Sequence, residues 1–297
     1  MRCSLVAVVG LPNAGKSTLV NALVGQKVSI VSHKVQTTRN RVMGIALKGE
    51  AQVVLMDTPG VLSAPKKRFE KAMLGAALEA PQGADLTLLV VDASRGKPEE
   101  QRALLRQLET CGSPLWVVLN QIDRLDRPQL LVWAQFFREF PQIQQTFMVS
   151  ALTGDGVEDL GRSLGTSARP GPWLFPEDQV SSAPQRMLAA EITREVLFHF
   201  LHQEVPYSLY VETEAWEEFR NGSVKISQVI HVMKETQKAI VLGHQGSLIK
   251  KLSTLARQEL VQELGRPAHL FLYVKVTPDW MDRARFYTLM GLTFPAQ

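Results

Sequence analysis

The stretch Gly10-Leu11-Pro12-Asn13-Ala14-Gly15-Lys16-Ser17 follows the apolar run Leu5-Val6-Ala7-Val8-Val9 and precedes the helix-like segment Thr18 to Val24. Spelled G-x-x-x-x-G-K-S between a strand and a helix, it constrains the fold more than any other part of the chain. The glycines let successive backbone N–H groups turn inward around phosphate oxygens at a helix N-terminus. The residues expected around a nucleoside triphosphate here are Asn13, Ala14, Gly15, Lys16, Ser17 and Thr18. Lys16 adds charge at the β/γ-phosphates, and the Ser17 hydroxyl is placed for Mg²⁺.

A second element, Asn120-Gln121-Ile122-Asp123, ends the strand-like run Leu115 to Leu119. In guanine-specific P-loop proteins an N-K-x-D element stands here, its aspartate accepting from the N1–H and exocyclic amine that adenine lacks. Asp123 fits that role, and Ser150-Ala151-Leu152 fits the loop whose backbone N–H meets the guanine carbonyl. Gln121 departs from the usual lysine, keeping contact along the base but losing the charge. Between these elements, Val53 to Met56 runs into Asp57-Thr58-Pro59-Gly60, a D-x-x-G. Asp57 is expected to hold Mg²⁺ through a water, and the Gly60 N–H to sense the γ-phosphate. Val61 stands where Ras-like enzymes carry the glutamine that orients the attacking water, so slow intrinsic hydrolysis is expected. Asn13 is the candidate to help hold a monovalent cation near the phosphates, against the plainer reading of an asparagine chosen for turn geometry.

G-L-P-N-A-G-K-S, the stretch Ser29 to Arg41 with its Q-T-T-R, D-T-P-G and N-Q-I-D together resemble the Era family of bacterial GTPases, within the TrmE–Era–EngA group that carries a hydrophobic residue in place of the catalytic glutamine. The similarity continues through Phe175 to Gln179, Glu204 to Ser208 and the C-terminal third. The resemblance selects Thr38 over Thr37 as the threonine offered to Mg²⁺. It makes Lys16, Thr38 and Gly60 the catalytic set and Ser17, Thr38 and Asp57 the metal set.

No apolar run approaches the 18 residues of a membrane span, and Met1 to Ser4 leads at once into the first strand, so neither a transmembrane helix nor a signal peptide is expected. Cys3 and Cys111 are isolated, which suggests neither a disulfide framework nor a metal site. A reducing cytoplasm is the simplest compartment.

Strand-like runs at 5–9, 53–56, 86–91, 115–119 and 146–149 alternate with helix-like stretches at 99–110 and 128–139. This predicts an α/β P-loop GTPase domain over 1–166, a mostly parallel sheet covered by helices. Residues 167–184 are rich in breakers and read as a linker, with Trp173, Leu174 and Phe175 apolar enough to dock it. From 185 to 297 a smaller α+β domain is expected: an amphipathic helix over 184–203, strands near 207–213 and 225–233, and a strand-like Lys238 to Leu242. Gly243-His244-Gln245-Gly246 follows, opening a helix over 247–263, with a last strand from His269 to Val276. A G-x-x-G turn opening a helix is the backbone clamp of a KH domain, and the resemblance specifies type II. Gly243, His244, Gln245, Gly246, Lys250 and Lys251 are the candidate RNA contacts. The charge balance is weak evidence, since residues from 184 on hold 13 Lys and Arg against 12 Asp and Glu.

The expected function is GTP hydrolysis coupled to RNA binding, with Mg²⁺ and, at Asn13, K⁺. By resemblance the RNA is the 3′ end of 16S rRNA, the setting is 30S subunit maturation, and the chain is a monomer. Peripheral inner-membrane association also belongs to the family picture, although no basic amphipathic segment shows it. Two alternatives stand beside this reading: a related GTPase acting on another RNA, and a scaffold that holds nucleotide without useful turnover.

Overall fold

The computed structural model describes residues 1–32, 34, 37–40, 42–61, 65 and 67–295. His33, Val35, Gln36 and Arg41 lie outside the described residues, so the Q-T-T-R motif is seen only from Thr37 onward. Two compact units form: Met1–Ser182 with Tyr287–Gln297, and Ala183–Phe286.

In the first unit the elements run β1 (Arg2–Val9), α1 (Lys16–Val24), β2 (Val42–Lys48), β3 (Ala51–Asp57), α2 (Arg68–Glu79), β4 (Leu86–Asp92), α3 (Pro98–Leu108), β5 (Leu115–Asn120), α4 (Arg127–Phe137), β6 (Ile143–Met148), α5 (Val157–Ser167) and β7 (Arg169–Pro170). The strand order is β2-β3-β1-β4-β5-β6, with β7 on β1. Pairings from β3 through β6 are parallel, whereas β2 lies antiparallel on β3. Central strands of such a sheet must be apolar on both faces. On β1, Val6 and Val8 join Leu19, Leu23, Leu160 and Leu164 on one side, while Ala7 and Val9 join Ala77, Leu105, Phe136 and Phe137 on the other.

The breaker-rich segment is tied down through its backbone and not by the apolar side chains expected to dock it, since Leu174 is 59% exposed. Gln52, fully buried on β3, accepts from the Leu174 and Phe175 N–H groups at 2.8 and 3.0 Å and donates to the Phe175 carbonyl at 2.8 Å. Farther along, Val180 and Ser182 bond the backbone of β2. Residues from Tyr287 onward pack with the first unit, whereas the sequence reading carried the second domain to residue 297. The Tyr287 ring meets Phe69 of α2 edge-on at 5.8 Å and Phe294 at 4.8 Å.

The second unit holds α6 (Gln185–Phe200), β8 (Tyr210–Glu218), β9 (Val224–Val232), α7 (Glu235–Leu242), α8 (Ser247–Leu264) and β10 (Ala268–Val276); α9 (Ala284–Leu289) follows. Its sheet has the order β10-β9-β8, with β9 parallel to β10 and antiparallel to β8. The expectation of a strand at Lys238 to Leu242 is corrected: this segment is the end of α7. Its β-branched run suits a strand, but Gln237 and Val241, four apart, are the buried pair, and Gln237 bonds the Met233 N–H and the Ser208 hydroxyl. Those contacts fix a helical face.

Two outcomes test this packing. Replacing Gln52 by Ala leaves two N–H groups and a carbonyl of the 174–175 segment without their partner, a loss of about 1–3 kcal/mol. Limited proteolysis is expected to cut the 171–182 segment faster in Q52A than in the unaltered chain. His231 on β9 is buried, with Nδ1 at 2.9 Å from Thr277 Oγ1, and burial together with Lys275 and Arg285 lowers its pKa from 6.5 to about 4. Between those values the unfolded chain binds a proton that the folded one refuses, so stability falls as pH drops from 6.5 toward 4. Urea unfolding across that window is expected to show a shallower pH dependence in His231→Gln.

Candidate functional site

The parallel strands β1, β3, β4 and β5 end on one edge, and there their loops enclose a pocket lined by Asn13, Gly15, Lys16, Ser17, Thr18, Thr38, Gly60, Asn120, Gln121, Asp123, Ser150, Ala151 and Leu152. Thirteen of the residues expected at the nucleotide and its metal are thus gathered from five separate stretches of chain. Ala14 and Asp57 are buried just behind the wall. The pocket lies beyond the carboxyl ends of the strands, where open α/β sheets bind ligands.

The loop after β1 is held by its own lysine. Lys16 Nζ donates to the carbonyls of Gly10 at 3.1 Å and Leu11 at 2.9 Å. Burial lowers its pKa to about 8, opposed by the charge of Asp57. Asn13 and Gly15 both adopt left-handed backbone, and a Cβ on Gly15 would sit 2.2 Å from Asn120 Nδ2. That approach is used: Asn120 donates to the Ala14 carbonyl at 2.9 Å and accepts from the Ala151 N–H at 3.0 Å. Asn120 therefore joins the phosphate loop to the Ser150-Ala151-Leu152 loop.

Ser17 Oγ lies 2.7 Å from Asp57 Oδ2 and 2.8 Å from Thr38 Oγ1, so the three expected metal residues already converge. Burial raises the Asp57 pKa, countered by the Ser17 hydrogen bond and the Lys16 charge. Its second oxygen, Oδ1, is buried with no hydrogen-bond partner. An orphaned carboxylate oxygen beside two hydroxyls is a hard, all-oxygen donor set, and it fits Mg²⁺. Thr37, the alternative, turns its hydroxyl to the Lys34 carbonyl at 2.6 Å.

Val61 donates its N–H to the Gly10 carbonyl at 3.1 Å, and its side chain is buried with Ala7, Val9 and Val91. It is a core residue. Gln121 keeps the brace that its position calls for: in left-handed backbone, its Nε2 donates to the Asn13 carbonyl at 3.2 Å. Arg124, which the sequence reading passed over, donates to Gln121 Oε1 at 2.9 Å and stands 3.9 Å from Asp123. It also lines the pocket, bringing back a cation near the place where the usual lysine stands. Its position one residue past the motif was the available signal.

In the second unit, Gly243 ends α7 at φ 70° and ψ 179°, and a Cβ there would fall 2.6 Å from that of Leu248. Gly246 and Gln245 are also left-handed, so the loop turns sharply into α8. His244, Gln245, Lys250 and Lys251 are exposed around it. Lys251 Nζ lies 4.6 Å from the Phe200 ring centroid, pointing back along α8 toward α6. A backbone-lined bend between two helices, backed by a three-stranded sheet, is the architecture of a KH domain.

Fold and site together define a P-loop GTPase unit followed by a KH unit. Residues 5–121 match the family described as 50S ribosome-binding GTPase, and residues 204–281 match the KH domain family. GTPase Era of Afipia carboxidovorans is 50% identical over 296 residues, covering 100% of this chain and 96% of that protein. GTPase Era of Brucella suis biovar 1 is 50% identical over 294 residues, covering 99% and 94%. Two crystal structures align at TM-score 0.91 and 36% identity over 98% of this chain and 99% of theirs. One is a variant of Aquifex aeolicus Era bound to GDP and tetrafluoroaluminate; the other is Era in complex with MgGDPNP and nucleotides 1506–1542 of 16S ribosomal RNA. The chain belongs to the Era family, and it is a GTPase.

Asn120→Ala is expected to leave the Ala14 carbonyl and the Ala151 N–H buried and unpaired. At about 1–3 kcal/mol for such a loss, affinity for a fluorescent GDP analogue falls by about fivefold to 150-fold. Fluorescence titration checks this.

Proposed function

We propose that this protein hydrolyses GTP with the residues gathered in the pocket, binds the 3′ end of 16S rRNA through its G-x-x-G loop, and uses the nucleotide state to time RNA release during 30S subunit maturation. The observation that carries the nucleotide part is the convergence of Ser17, Thr38 and Asp57 beneath a phosphate loop cross-tied to the N-Q-I-D segment. Assignment of the RNA is supported by the Era complex with nucleotides 1506–1542 and by the similarity to that structure over nearly the whole chain.

In this reading Asp123 accepts from guanine, Gln121 braces the loop beneath the base, and Ala151 and Leu152 offer backbone to the carbonyl edge. Lys16 leaves the Gly10 and Leu11 carbonyls for the β/γ-phosphate oxygens. Mg²⁺ held by Ser17, Thr38 and Asp57 would neutralise phosphate charge. The Gly60 N–H meets the γ-phosphate while a water attacks in line. Catalysis is then positioning and charge stabilisation, with no side chain at Val61 to orient the water. The exposed Asn13, in left-handed backbone at the pocket mouth, is the group that a K⁺ ion would use. Among the described residues no helix is long and apolar enough to cross a membrane. The protein works as a cytoplasmic monomer, and inner-membrane contact, if made, is peripheral.

Steady-state hydrolysis of GTP, with ATP as control, tests the reading with and without an RNA of the 16S 3′ sequence, in sodium and in potassium buffer. Slow guanine-selective turnover that the RNA raises is expected, with potassium faster than sodium and the difference lost in Asn13→Ala. GTP binding with neither turnover nor RNA response would favour the scaffold alternative.

A further inference from the structure

On the side of the KH sheet away from α6 and α8, Trp280 and Phe286 cover Tyr210 and His231, but the outward row of β10 is used by neither the pocket nor the G-x-x-G loop. Along β10, Ala268, Leu270 and Val274 turn inward to the core shared with α6 and α8, whereas His269, Phe271, Tyr273 and Lys275 alternate outward. Phe271 is 57% exposed and Tyr273 62%, although both are large and apolar. Phe219, 45% exposed, sets its ring edge-on to His269 with centroids 6.4 Å apart. The strand register places Lys225 beside His269, Ser227 beside Phe271 and Val229 beside Tyr273. Lys275 follows Tyr273 on the same face.

Single exposed aromatics are ordinary. A row of them that ends at an exposed lysine, Lys275, is a different pattern. Outward residues on one strand are about 6.6 Å apart, which lets neighbouring rings take successive bases of an extended strand. Sequence-tolerant binders of single strands combine such stacking rings with a cationic path for the backbone. Three of the nearby carboxylates are already paired: Glu217 with Lys225 at 3.0 Å, Glu218 with Arg266 at 2.9 Å and Glu212 with Arg285 at 2.6 Å. The residues flanking the rings are the buried Val229 and the polar or cationic His269, Lys225, Ser227 and Lys275, a setting that suits a phosphate backbone passing over the rings.

We propose that this outer face is a second platform for single-stranded RNA, separate from the G-x-x-G loop between α7 and α8, with bases stacking on Phe271 and Tyr273 and the phosphates met by Lys275. The platform requires no bound nucleotide and no particular RNA sequence.

Fluorescence anisotropy on the full chain tests it, using a mixed-sequence single-stranded RNA of about 30 nucleotides, long enough to span more than one site of the size such folds use, and the matching duplex. Three double variants are compared: F271A/Y273A, F271Y/Y273F and H244D/Q245D. The alanine pair is expected to weaken single-strand binding at least about tenfold, the ring-preserving pair to stay within about twofold, and duplex binding to be unmoved. Lys275→Glu gives an independent readout, with a lower affinity and a shallower salt slope. Unchanged affinity in F271A/Y273A, with loss in H244D/Q245D, would overturn the platform and leave the loop reading standing. Lost binding to 30S subunits with naked RNA unaffected would also overturn it, in favour of a protein contact. Failure of the unaltered chain to bind the single strand would overturn both readings.

Discussion

Two opposite charges held out of water organise the nucleotide unit. Lys16, the first residue of α1, and Asp57, the last of β3, are both buried, and moving such groups from water costs several kcal/mol each unless neighbours compensate. The compensation is local. Lys16 spends its ammonium on two carbonyls of its own loop, and Asp57 takes the Ser17 hydroxyl, which itself touches Thr38. The shape of the loop and the position of the charge are therefore one problem with one solution. Surrounding backbone enforces it: Thr58 Oγ1 donates to the Val8 carbonyl at 2.8 Å and the Val61 N–H to that of Gly10, locking the D-x-x-G turn to the end of β1. One carboxylate oxygen stays unpaired, so the site is organised for a cation before any nucleotide enters.

The same economy explains how glutamine can stand at position 121. A lysine in that place would contribute a stem along the base, a donor to the phosphate loop and a charge. Gln121 supplies the first two, its amide reaching the Asn13 carbonyl, and Arg124 brings the third while holding the other end of that amide. The charge thus sits one side chain farther from the loop, on a partly exposed guanidinium screened by water. The brace survives the substitution better than the electrostatics do.

Much of this was legible in the chain because the elements that build the pocket carry continuous apolar runs, ended by glycine or by the very polar residues that bind. β1, β4 and β5 read directly, as did the motifs at their ends. What escaped was set by neighbours. β2 holds a glycine mid-strand and lies at the sheet edge, so its apolar signal is weak. α5 carries Gly161 and Gly165, poor helix formers, yet Leu160 and Leu164 bury one side of it. α7 has the β-branched texture of a strand, and the contacts of Gln237 decide otherwise. Arg124 lies outside any motif, and its role exists only once Gln121 and Asp123 are folded beside it. The placement of the last residues with the first unit depends on rings from distant segments, which no local pattern carries.

Those last residues bear on how nucleotide state can matter beyond the pocket. Thr38 touches the metal set through its hydroxyl, and the next residue, Arg39, is 1% exposed with its guanidinium 5.6 Å from the Phe69 ring on α2. Phe69 in turn meets Tyr287, whose ring meets Phe294. A run of contacts inside one unit thus joins the threonine to the segment that follows the KH unit in the chain. Contiguity alone is not coupling, which needs an element with two arrangements that both sites bias. The segment around Thr38 has the right character, since residues 37–40 carry no regular secondary structure while the threonine answers to the metal site and its neighbour to a buried ring. With Val61 committed to the core, no residue of the D-x-x-G turn competes to orient water. The same short segment thus supplies Thr38 to the metal set and packs Arg39 against the ring that meets Tyr287.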